Sequence, residues 1–144
     1  MNETQAVAVF LLQIFQAHAA LTALVGTQIY EGLAPEGSQP PYLLYSLNAA
    51  SDLNAVGRAS RVDSRQLWLV KGITTGNSAA SAAAIASAAD DALEDATDTI
   101  TLDGRSYRVT VIGRTAAIRL PPSGEGIRYH HIGGLYRIFV GPAS

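Results

Sequence analysis

Five carboxylates crowd between positions 90 and 98: Asp90, Asp91, Glu94, Asp95 and Asp98. Such a cluster is where metal binding or proton transfer would first be sought. Helical spacing places Asp91, Glu94, Asp95 and Asp98 partly on one face, in the last turns of a predicted helix. There the negative end of the macrodipole disfavours each exposed carboxylate by roughly 0.3–1 kcal/mol. Arginines of the same fold, arginines of a neighbouring copy or a divalent cation could offset this. A calcium site also draws on loop carbonyls, and no EF-hand pattern is present, so a solvated acidic face is preferred to a metal. A contact between copies ranks next, with Arg58, Arg61 and Arg65 meeting Asp91, Glu94 and Asp95.

The three histidines suggest little chemistry. Adjacent residues on a strand point to opposite faces, so His130 and His131 cannot readily share one metal or substrate. His18 falls on the apolar edge of a predicted helix. No serine sits in a G-x-S-x-G elbow, and no P-loop, dinucleotide fingerprint or H-E-x-x-H pattern occurs. With no cysteine there is no disulfide, thiolate ligand or thiol nucleophile. No catalytic residue, cofactor site or metal site is assigned, and the chain is expected not to be an enzyme.

The elements that would carry these residues follow from periodicity. Val7, Phe10, Leu11, Ile14, Phe15 and His18 form one helical stripe, which predicts a first helix from about Thr4 to Leu24. Gly26 stops it, Ile29 and Tyr30 form a short strand, and a loop with Pro35, Gly37, Pro40 and Pro41 leads into a strand over Tyr42 to Asn48. Ala49 to Ser60 reads as a long loop of the functional or mobile kind. Arg61 to Ile73 alternates as a strand, with Trp68 read as a core or half-buried anchor in preference to an interface anchor.

Asn77 or Ser78 is expected to cap a second helix reaching about Ala96. Its inner face, Ala82, Ile85 and Ala89, is small enough to lie close on a sheet. Asp103-Gly104 predicts a type I′ hairpin between Thr99–Leu102 and Arg105–Ile112. A loop from Leu120 to Gly126 precedes a last strand over Tyr129 to Val140, in which Gly133-Gly134 marks a bulge or a close backbone approach. The expected fold is α+β: two helices on an antiparallel or mixed sheet of four to five strands.

The 144 residues are sized for one domain with its own core, and 48% hydrophobic against 15% charged content excludes wholesale disorder. Ala17-His18-Ala19 looks like a signal cleavage site. Yet the first basic residue is Arg58, and Gln13, Gln16 and His18 interrupt the apolar run short of the ~20 residues a membrane span needs. A soluble chain that stays where it is made is expected.

The net charge of −2 conceals segregation. Residues 1–57 carry −4 and no Lys or Arg, 58–75 carry +3, 76–104 carry −6, and 105–144 carry +5. Such blocks either neutralise one another within the fold or let acidic and basic faces of neighbouring copies meet. A dedicated nucleic-acid binder would be clearly basic.

The order "LTALVG", "IY", "APEG", "PPYLLY" and a closing aromatic-rich strand resembles the tail-completion or tail-terminator proteins of long-tailed bacteriophages, over roughly Leu11 to Val140. The resemblance implies a structural virion protein: a hexameric ring that caps the tail-tube protein and joins it to the head-side connector or head-closure protein. DNA would meet it only in transit and membranes not at all. Its place would be the tail or neck of the virion, after assembly in the host cytoplasm. It also suggests loops that contact other rings, at Asp52, Leu53 and Asn54 and at Pro121, Pro122, Ser123 and Glu125. A head-side neck protein and a small cytoplasmic ligand-binding domain remain as alternatives.

Overall fold

The N-terminal apolar stripe folds as two helices, not one: α1 (Asn2–Ala17) and α2 (Ala19–Val25), bent 87° at His18. His18 adopts extended backbone (φ −89°, ψ 105°), and its carbonyl accepts the Leu21 and Thr22 N–H groups. No Pro or Gly marks this break. It is a tertiary effect: the bend returns Leu21 and Val25 to the core that already holds Phe10, Leu11 and Phe15. Among the described residues, no single helix is long and apolar enough to cross a membrane.

The computed structural model describes residues 2–54, 61–76, 79–123 and 128–143. The remaining elements are β1 (Ile29–Glu31), β2 (Tyr42–Asn54), β3 (Arg61–Thr75), α3 (Ala80–Leu93), β4 (Thr97–Leu102), β5 (Arg105–Ser123) and β6 (Tyr129–Pro142). The sheet order is β1-β2-β3-β6-β5-β4. Only the β1–β2 pair is parallel, so the sheet is mixed. The α+β class stands, but the described chain has six strands and three helices where the sequence predicts four to five and two.

All three helices cover one face of the sheet. Trp68, Val70, Tyr136, Ile138, Val140, Val109 and Val111 line that face and share one core with the helices. Trp68 is fully buried, as expected of an anchor, and its indole N–H donates to Gln66 Oε1 at 2.8 Å. The Gln66 amide in turn donates to Ser64 and to Thr4 of α1. The rings of Phe15, Tyr45 and Trp68 meet in series at tilted angles, 5.9 and 6.2 Å between centroids. Burial pushes the Tyr45 phenol up to about 12.

The small inner face of α3 does what its composition predicts. Ala82, Ile85 and Ala89 are buried, and a Cβ on Gly72 of β3 would sit 2.6 Å from Ile85 Cγ2. The helix therefore rests directly on a glycine. Gly133 likewise marks a close approach: a Cβ there would collide with the Val70 carbonyl oxygen and lie 2.6 Å from Lys71 Cα. The Asp103-Gly104 hairpin forms as expected, with φ of 50° and 76° and Leu102 paired to Arg105.

Two predicted loops are strand for part of their length. Residues 49–54 continue β2, with Asp52 opposite Ser64, Leu53 opposite Asp63 and Asn54 opposite Arg61. Pro121, Pro122 and Ser123 complete β5, and Ser123 pairs with Tyr129. β5 has three register shifts against β6: Ile112 and Thr115 are bulges that each add one residue, and a third shift falls between Leu120 and Ser123. α3 ends at Leu93, so Glu94 is its C-cap, Asp95 lies beyond it at φ 54°, and Asp98 belongs to β4. Only Asp90 and Asp91 lie in the last helical turn. The predicted caps Asn77 and Ser78 lie outside the described residues.

Candidate functional site

The acidic cluster is dispersed by the end of α3. Asp90, on the Ala82–Ala86–Asp90 row, leans toward the sheet and accepts a 2.7 Å hydrogen bond from the Tyr136 hydroxyl. The Arg114 guanidinium stands 3.9 Å from the same carboxylate oxygen. Burial and the bond to Asp90 raise the Tyr136 phenol well above its ordinary value. An arginine of the same fold thus offsets the unfavourable dipole at Asp90. Periodicity held a signal for this contact, since 82, 86 and 90 form one i, i+4 row. Asp91, Glu94, Asp95 and Asp98 are exposed, and the Asp98 carboxylate accepts the Thr99 N–H at 2.8 Å. Among the described residues, no three His, Asp or Glu side chains could hold a metal together.

The histidines separate as the strand geometry requires. His130, on the helix-covered face, bonds through Nε2 to the Gly76 carbonyl at 2.8 Å and ties β6 to the turn after β3. His131, on the opposite face, has its pKa lowered by burial, then by Lys71 and His130. Burial also lowers Lys71.

That opposite face carries no helix. Arg65, Lys71, Arg108 and Arg137 lie on it, and among the described side chains it bears no acid. Arg65 stacks over Phe139, its guanidinium carbon 5.3 Å from the ring centroid. Arg65 and the acids at the end of α3 therefore occupy opposite sides of one sheet, and the fold does not bring them together within a chain. Arg58 lies outside the described residues, and Arg61 is placed in β3 by its backbone alone.

Asn54 and Ser123, where β2 and β5 end, lie at opposite ends of the sheet. The β2–β3 turn follows Asn54, at the end where β5 begins and β4 pairs with it. The β5–β6 turn follows Ser123, at the end where β1 meets β2. Residues 55–60 and 124–127, with Arg58 and Glu125, lie outside the described residues.

The short edge strands β1 and β4 leave β2 and β5 partly uncovered. β1 pairs with β2 only over Leu43–Tyr45, and β4 pairs with β5 only over Arg105–Thr110. The Val111 N–H is taken by the Ala96 carbonyl. Beyond these points, Ser46–Asn54 of β2 and Ile112–Ser123 of β5 have no partner among the described strands on their outer sides.

A family model described as tail completion protein gp17 matches residues 10–141. No curated protein matches the chain by sequence. The fold is similar to a solved chain described as the virion of a native gene transfer agent (GTA) particle. The two are 23% identical with a TM-score of 0.58, over 95% of this chain and 97% of that one. A second solved chain, with no function stated, is 14% identical with a TM-score of 0.57 over the same shares.

Proposed function

The chain belongs to the tail completion protein gp17 family, a phage tail-completion family, and from that membership we propose that it forms a ring closing the tail tube and joining it to the head. The resemblance read from "LTALVG" to "PPYLLY" falls within the matched residues. The observation that supports a joining role is that the ends of the two hairpins' strands, Asn54 with Arg61 and Ser123 with Tyr129, lie at opposite ends of one sheet. With the strands inclined along the ring axis, one set of tips meets the tube protein and the other the head-side connector.

The ring is hexameric and built head to tail, since a heterologous interface that closes gives a ring instead of a filament. Its place is the tail or neck of the virion, as the likeness to a chain of a gene transfer agent virion also suggests. No reaction is part of the role. Charge is segregated across the sheet: the end of α3, with Asp91, Glu94 and Asp95, is acidic and the open sheet face basic.

Deleting the gene tests the reading. A tube-closing protein leaves over-long tails unattached to filled heads. Normal-length tails beside heads that leak DNA would instead assign the chain to the head side of the neck.

A further inference from the structure

The geometry points to strand addition between copies: the open edge of β5 in one subunit pairs antiparallel with the open edge of β2 in the next. This deepens the ring proposed above and rests on it.

An exposed strand edge presents a row of unpaired N–H and C=O groups. Folded proteins cover such edges or blunt them with charge, proline or bulges. β2 lacks most of these devices. From Ser46 to Ser51 it has no charged residue and no proline, and after one bulge near Asn48 its register with β3 runs unbroken from Ala49 to Leu53. β5 is blunted by bulges at Ile112 and Thr115 and by the register shift between Leu120 and Ser123 that holds Pro121 and Pro122, one of which removes an N–H from the outer edge. Between them, Ala116 to Leu120 keeps an unbroken register with β6. β2 and β5 thus each offer one five-residue stretch of unbroken register on an open edge, 49–53 and 116–120.

Several independent features make these two edges fit each other. They are the opposite edges of one sheet, so their pairing is head to tail. Three antiparallel ladders separate β2 from β5, so the strands run in opposite directions and meet antiparallel in copies of like orientation. The open stretches are diagonally offset, because β1 covers β2 at one end of the sheet and β4 covers β5 at the other. A sheet that closes on itself needs this stagger, since its strands must tilt from the axis. The short strands β1 and β4 act as stops that set the register. Charge agrees as well: Arg119 is exposed on β5, whereas β2 contains Asp52 and no Lys or Arg. Ala49, Ala50, Ala116 and Ala117 are exposed and small, so two backbones can approach without displacing side chains. The occupant of each edge is therefore a second copy of this chain.

The absence of cysteine gives a clean test. Four double variants combine Ala49→Cys or Ala50→Cys with Ala116→Cys or Ala117→Cys. Each is oxidised alone and on purified tail tubes, then run under denaturing conditions beside its native mass. Expected is a ladder of covalent multimers ending at a closed six-copy species in at least one double variant, and no covalent product from the four single variants. Six-copy native particles without any ladder would overturn the edge pairing and leave the ring standing. Dimers from a single variant would overturn it in favour of an edge that pairs with itself. Monomers throughout, with no covalent product even on tubes, would overturn the edge pairing and the ring together.

Discussion

The Tyr136 hydroxyl donates to the Asp90 carboxylate at 2.7 Å, tying the middle of β6 to the last turn of α3. The tyrosine is almost fully buried, while Asp90 keeps access to water and to Arg114. Tyr136→Phe removes a hydrogen bond to a charged group without orphaning the carboxylate. A loss of about 1–2 kcal/mol is expected, read from the urea midpoint at unchanged m-value.

Gln66→Leu should cost more than its volume suggests. The Trp68 indole N–H donates to Gln66 Oε1 in a fully buried setting, and the substitution leaves that donor unsatisfied. A loss of about 1–3 kcal/mol is expected. Trp68 is the sole tryptophan, so its fluorescence reports the unfolding directly.

Two glycines carry different penalties. Gly133→Ala drives a Cβ into the backbone of Val70 and Lys71, which cannot move without breaking the β3–β6 ladder. Gly72→Ala meets Ile85 and Ala82 on α3, which can lift as a body. Gly72→Ala is expected to cost about 1–3 kcal/mol and Gly133→Ala more, so that the latter fails to give soluble protein at 37 °C. Expression followed by thermal melting ranks them.

His131 makes stability depend on pH. The folded chain holds its pKa below the ordinary 6.5, through burial and through Lys71 and His130. As pH falls below about 6.5 the unfolded chain takes up the proton first, so stability drops on acidification and is fully present above the unfolded value. Melting temperatures measured between pH ~7.5 and pH ~5 should fall, and His131→Gln should flatten that slope.

What the sequence disclosed was whatever local chemistry determines. Asp103-Gly104 specified its own turn, the alanine face of α3 specified a close helix, and Gly133 marked where backbone meets backbone. What it hid was decided by distant partners. Helical spacing runs straight through His18, so only packing of Leu21 and Val25 reveals the break. Residues 49–54 lack alternation and β-branched side chains, and become strand because β3 lies beside them. Pro121 and Pro122 read as loop because they donate no N–H, yet they fall in the register shift between Leu120 and Ser123, where neither pairs with β6, and β5 has no described partner on its other side there. The same edges were the part of the interaction surface that residue types could not disclose. An open edge is a property of neighbours, not of side chains.

The most direct test of a ring-forming tail protein is native mass across a wide range of concentrations, without and with purified tail tubes. Six chains of 15.1 kDa predict a discrete species of about 90 kDa, growing at the expense of monomer as concentration rises or as tubes are added. A chain that stays monomeric at every concentration and neither binds nor assembles on tubes would contradict the account.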